Sequence, residues 1–137
     1  MFTQTDTLTK YYQCLVGHFA MATIVIFNQT AHLEASVIGG VPVTEESRIG
    51  FTVCLVLTQV ALLIEFASLA LQMPTVPRSI FSTTAHTIAT CLFLLFIYDS
   101  HPPSHFWILL AFISLPCFVF AVHAIFRTWS RNRGKQE

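Results

Sequence analysis

Three residues raise the question of chemistry: His18, Glu65 and His86. Each lies inside a long apolar stretch. His18 follows Lys10 by eight positions, Glu65 precedes Met73 by eight, and His86 follows Arg78 by eight. At about 1.5 Å per helical residue, all three sit roughly 12 Å in from the same edge. A carboxylate at such depth in a bilayer costs roughly 2.5 kcal/mol or more unless it is paired or neutral. A histidine beside it satisfies both groups and can share its proton. The ordinary use of such a pair is an interhelical hydrogen bond that fixes bundle register. A proton or ion path is a second use. A haem held between His18 and His86 is a third.

The surrounding residues favour the first use. A haem arrangement would have a second histidine layer, and the chain has none. A transport path would have more polar residues along its length and an internal repeat, and the two halves of the chain share no convincing one. Glu65 is expected to face His86, with His18 or Thr83 as alternative partners. No catalytic group, cofactor or metal is expected. His123 lies shallower, three residues before Phe126. Asp99, His101 and His105 have a spacing that could hold a metal, but the intervening Pro102-Pro103 reads as a tight polar turn. The four cysteines, Cys14, Cys54, Cys91 and Cys117, fall one per apolar stretch with no Cys-x-x-Cys. Thiols in that setting behave mainly as small apolar residues.

The elements that position these groups are four apolar stretches, residues 11–27, 51–73, 80–98 and 106–126. A helix needs roughly 17 to 25 mostly apolar residues to cross about 30 Å of hydrocarbon. Lipid admits only helices or closed barrels, and no strand-like alternation is present. The fold class is therefore an all-α membrane protein, a four-helix transmembrane bundle. A cleaved signal peptide is the rival reading of the first stretch, but its apolar run is longer than usual for one.

Composition agrees. Of 137 residues, 54% are hydrophobic and 10% charged, less than half the usual charged fraction of about 25%. The segments between and beyond the stretches are too short to build a soluble core. Residues 1–137 are expected to form a single transmembrane domain, with a basic cytoplasmic tail at 127–137. No nucleotide loop, zinc-ligand motif, nucleophile elbow or nucleic-acid patch is present.

Small and polar residues mark the faces expected to pack inward. They are Cys14, His18 and Ala22 in the first stretch, and Thr58, Ala61, Glu65, Ser68 and Gln72 in the second. The third offers Thr83, His86, Thr87 and Thr90, beside Ala89, and the fourth Ser114, Cys117, Ala121 and Ala124. Phe93, Phe96, Ile97, Phe118 and Ile125 are then expected to face lipid. Pro116 should kink or weaken the fourth helix.

Basic residues fix the expected orientation. Lys10, Arg78, Arg127, Arg131, Arg133 and Lys135 fall on one side, and only Arg48 on the other. Lys and Arg concentrate on the cytoplasmic side, so both termini are expected inside. Asn28-Gln29-Thr30 then falls on the correct side for glycosylation, but abuts the membrane too closely for easy modification. The basic tail would also attract anionic lipid, at about 1 kcal/mol per basic residue near the surface.

These points together resemble the transmembrane protein 107 family. The first stretch carries His18 after Leu15-Val16-Gly17. The second carries Glu65 before Phe66-Ala67. The third carries Ala85-His86 and, further on, Phe96-Ile97. The fourth carries Ser114-Leu115-Pro116 after Phe106-Trp107. Their order and spacing carry the resemblance, which spans most of the chain. After the fourth-span proline, where the family has a further acidic residue, this chain reads Cys117-Phe118-Val119-Phe120. The resemblance implies a non-enzymatic, multi-pass structural component of the ciliary transition zone. It implies partners among the membrane and peripheral proteins of the Meckel-syndrome complex, alongside membrane lipid.

Overall fold

The computed structural model describes residues 3–36, 43–99 and 101–133. Among them there are helices and no strand. In chain order the helices are α1 (Gln4–Phe27), α2 (Gln29–Ser36), α3 (Glu45–Leu71), α4 (Val76–Tyr98) and α5 (Pro103–Leu109). A π-helical turn (Leu110–Ser114) then leads into α6 (Leu115–Arg133). Lys135 lies outside the described residues.

Local chemistry sets the helix starts. The Thr3 side chain accepts from the Asp6 amide, and Asp6 pairs with Lys10 at 3.1 Å one turn on. Thr44 caps α3 in the same way, accepting from the Ser47 amide, with Glu45 and Glu46 in the first turn. Side-chain caps satisfy amides that have no intrahelical acceptor, and acids there complement the helix dipole. Prolines open α4 and α5, where the missing N–H is no loss.

Three helical segments are long and apolar enough to cross a membrane: Glu45–Leu71, Val76–Tyr98 and Pro103–Arg133. α1 reaches that standard only together with α2, from which it bends by 76°. Lys10, Gln13, Gly17 and His18 dilute its apolar content. The membrane count is therefore three, or four with the bent pair taken as one span.

Packing does not follow the α3–α4 connection. α3 and α4 are joined by a short turn, yet they do not lie side by side along their lengths. α1 packs against both of them, and α3 also packs against α6. The Gln4 side chain donates to the Pro74 carbonyl at 3.3 Å, and the Thr128 hydroxyl to Gln72 Oε1 at 3.1 Å. The start of α1 and the end of α6 thus meet the α3–α4 turn at one end of the bundle.

Two expectations about faces fail. Phe93 and Phe96 are buried, not turned to lipid. They join Phe106 in edge-on ring contacts at 5.3 and 5.2 Å, and Phe51 meets Phe106 at 5.0 Å. α4 buries Ser79, Ser82, His86, Ala89, Phe93 and Phe96. Its inward face is polar near one end and aromatic near the other, while Thr87 points outward. The expected seam of α6 is buried throughout: Ser114, Cys117, Ala121 and Ala124.

Pro116 acts through the turn before it. The Leu115 amide reaches back to the Leu110 carbonyl, a wider loop than the α-helical bond. Proline has no N–H to donate and crowds the carbonyl four residues back. The wider π turn just ahead of it accommodates both defects.

Candidate functional site

The inward faces meet in one buried polar layer. Tyr11, Leu15 and His18 lie on the buried side of α1, at the four- and three-residue spacing that shares a helix face. Glu65 comes from α3, His86 from α4 and Cys117 from α6. Tyr11, His18, Glu65, His86 and Cys117 have no exposed surface.

The hydrogen bonds form a chain. His18 Nδ1 lies 3.0 Å from His86 Nδ1. His86 Nε2 lies 2.9 Å from Glu65 Oε2. Tyr11 donates its hydroxyl to the same Glu65 oxygen at 2.8 Å. The Tyr11 ring also stacks on the His86 imidazole, with centroids 5.9 Å apart. The structure thus brings His18, Glu65 and His86 together, with His86 in the middle. Glu65 meets His86 and Tyr11, and neither His18 nor Thr83 bonds to it.

Two buried atoms of the layer have no protein partner, His18 Nε2 and Glu65 Oε1. Outward from Glu65, the Ser68 hydroxyl donates to the Glu65 carbonyl, and Arg78 donates to Ser68 Oγ at 2.9 Å. A guanidinium therefore stands one helical turn from the carboxylate. Gln59 adds a further crossing between α3 and α1, donating to Thr23 Oγ1 at 2.6 Å. Cys14 and Thr87 join α1 to α4 at 3.2 Å.

Sequence reasoning missed Tyr11 and Cys117. Tyr11 marked only the edge of a stretch, although its spacing from His18 put it on the same face. Cys117 lay on the recognised seam of α6 but was read as packing. His123 is exposed on α6 and takes no part.

A second polar group closes the opposite end of the bundle. His32 of α2 stacks on Phe51, with centroids 5.6 Å apart, and its Nε2 lies 3.1 Å from the His101 carbonyl. Burial holds its basicity below the usual histidine range. His101 Nδ1 and His105 Nδ1 are 2.9 Å apart, and Asp99 approaches His101 Nε2 at 3.8 Å. Asn28, the candidate glycosylation residue, uses its amide nitrogen to donate to the Ile24 carbonyl at the end of α1.

Apolar helices of spanning length closed around a dry ionisable layer define a multi-pass α-helical membrane protein. The family model for TMEM107, a transmembrane protein, matches residues 7–125. The chain belongs to that family. Comparison with curated proteins and with solved structures gave no match.

Proposed function

We propose that this chain is a structural membrane component of the ciliary transition zone. In that role it helps assemble the gate complex at the cilium base and so supports cilium assembly and ciliary membrane composition. The observation that carries the reading is the family match over residues 7–125. The architecture is compatible in kind. The ionisable groups His18, Glu65 and His86 are turned inward, while large apolar side chains such as Leu63, Ile88, Leu94 and Phe112 cover the outside. Such a surface offers lipid and other spans contacts of shape and dispersion. The protein acts as a scaffold and not as an enzyme. Its partners are other transition-zone membrane and peripheral proteins of the Meckel-syndrome complex.

Both termini face the cytoplasm in this reading. The support is charge: Lys10, Arg78, Arg127, Arg131 and Arg133 belong to the end where α1 begins and α6 finishes, and Arg48 to the other. The deciding experiment is localisation of tagged protein at native expression. A ring at the cilium base is expected. Spread over the whole plasma membrane or retention in the endoplasmic reticulum would overturn the proposal.

One observation favours a second reading, a small proton or ion transporter. Ionisable groups from α1, α3 and α4 form a continuous hydrogen-bonded chain. Reconstituted vesicles would show a proton flux lost in Glu65→Gln if that reading holds, and no flux above empty vesicles under the scaffold reading.

A further inference from the structure

Glu65, His86 and Cys117 each offer a ligand atom, and these atoms lie within 4.8 Å of one another. All three residues are completely buried, and they come from α3, α4 and α6. We propose that they form a zinc site that ties these three helices together, a role beyond the transition-zone reading and independent of it.

The donor chemistry selects the ion. Thiolate, imidazole and carboxylate together suit zinc, whereas magnesium and calcium take oxygen donors. Zinc bonds of roughly 2.0–2.3 Å replace the 2.9 Å hydrogen bond between His86 Nε2 and Glu65 Oε2 and bring Cys117 Sγ into the same shell, a movement within reach of side-chain rotation. Three protein donors leave a fourth position for water.

Electrostatics supports occupancy. A buried carboxylate in a bilayer needs a compensating charge. One divalent cation balanced by one carboxylate and one thiolate gives a locally neutral assembly. One Glu65 oxygen, Oε1, is buried and has no hydrogen-bond partner, so a lone pair is free for a metal. The outer contacts of a metal site are also in place. Metal-bound histidines donate their other ring N–H to an acceptor, and metal-bound carboxylates are themselves hydrogen-bonded. Here His86 Nδ1 lies 3.0 Å from His18 Nδ1, and Tyr11 donates to Glu65 Oε2 at 2.8 Å.

Binding balances as follows. Zinc loses bound waters and gains bonds to Cys117 Sγ, a Glu65 carboxylate oxygen and His86 Nε2. The Cys117 S–H bond breaks, Glu65 gives up the proton it carries when His86 Nε2 only accepts, and both protons leave to solvent. The His86 ring proton resides on Nδ1, from where it donates to His18 Nδ1. With the layer closed to solvent, the ion enters as the helices assemble. The sequence reading expected no metal because the three ligands stand 21 and 31 residues apart and form no local motif.

The test folds the full chain into detergent micelles with cobalt(II) present throughout in place of zinc, and repeats the folding with zinc added. Stoichiometric uptake with an intense thiolate-to-cobalt charge-transfer band is expected, and the added zinc should suppress it. Cys117→Ala should abolish that band while circular dichroism still shows a folded helical protein. Tyr11→Phe should keep the band and weaken affinity roughly 10- to 100-fold, as loss of an outer partner does. Absence of the band in the folded wild-type chain would overturn the proposal. So would a band that survives in Cys117→Ala. Weak cobalt binding without thiolate character points to the half-buried His101–His105 pair and also counts against the site.

Discussion

His18 Nδ1 and His86 Nδ1 stand 3.0 Å apart in a layer without solvent. Two neutral imidazoles at that distance share one proton between facing nitrogens. If His18 donates, His86 keeps its proton on Nε2 and donates it to an ionised Glu65. If His86 donates from Nδ1, its Nε2 can only accept, and Glu65 must carry the proton instead. The protonation of Glu65 and the tautomers of two histidines on other helices are therefore one coupled variable. Tyr11 fits both arrangements, since its hydroxyl donates to Glu65 Oε2 in each.

This coupling predicts how substitutions at Glu65 divide. Glu65→Gln keeps a polar atom at the Oε2 position, and turned as a carbonyl it accepts from both the Tyr11 hydroxyl and His86 Nε2–H. It should remain within about 1 kcal/mol of the native stability, since interhelical hydrogen bonds in membranes average about 0.6 kcal/mol. Glu65→Leu strands His86 Nε2 and the Tyr11 hydroxyl in a dry interior. Each buried unsatisfied polar group costs about 1–3 kcal/mol, so Leu should be the more damaging change despite being more apolar. Thermal unfolding of both variants in one detergent orders them, and equal loss would mean the layer contributes only volume.

A different pH response is expected at the other end of the bundle. His32 is buried against Phe51 and Phe106, and burial lowers its tendency to protonate. In the unfolded chain its value returns to about 6.5. Below that pH the unfolded state binds a proton that the folded state refuses, so stability falls as pH drops through about 6.5. Above it the contribution is complete. His32→Phe should flatten this part of the profile while retaining the ring contacts. Unfolding midpoints measured from pH 8 to pH 5 in both proteins test it, and parallel curves would exclude His32 as the source.

Orientation has its own check. A cysteine placed at Thr3 and another at Asn132, each in a chain lacking the four native cysteines, should react with an impermeant maleimide only after the plasma membrane is opened. Labelling of both in intact cells would reverse the proposed topology. Labelling of one alone would mean an odd number of crossings, with α1 lying along the membrane and not through it.

Much of this arrangement is readable from residue types alone, because lipid favours turning ionisable and small residues inward, although Thr87 and His123 stay exposed. Glu65, His86 and the Ser114–Cys117–Ala121–Ala124 seam were found that way. The rule says little about which apolar residues are buried. Phe93 and Phe96 are as content in lipid as in a core, and their ring contacts with Phe106, His18, His101 and His105 decide their side. Partner choice was also hidden. A short turn between α3 and α4 suggested a closed hairpin, but α1, far away in sequence, packs against both and brings Tyr11 to Glu65. The helix at Gln29–Ser36 lay in a segment read as a loop, because eight mixed residues carry too weak a periodicity to declare a helix.

The π turn leaves a pattern that can be tested by removing a residue. Buried positions on the last helical segment run Phe106, Leu109, Ser114, Cys117, Ala121 and Ala124. Every step is three or four residues except that from Leu109 to Ser114, which is five. A regular α-helix would swing the two halves apart by about 100° for that extra residue, and the π turn absorbs it. Deleting Phe112, which is 77% exposed, should convert the turn to α-helix and keep both halves on the inner face. Pro116 then loses the wide turn that accommodates it, at a penalty of about 3 kcal/mol for an interior proline. Deletion of Phe112 combined with Pro116→Ala should therefore be more stable than the deletion alone. Deleting Leu63, also exposed but in regular α3, should rotate one half of that helix by about 100° and separate Glu65 from the face shared with Thr58 and Ala61. Monodisperse yield and thermal melting in detergent rank the three variants: the Phe112 deletion with Pro116→Ala first, the Phe112 deletion second and the Leu63 deletion last. A Phe112 deletion as disruptive as that of Leu63 would show that the π turn does more than absorb one residue.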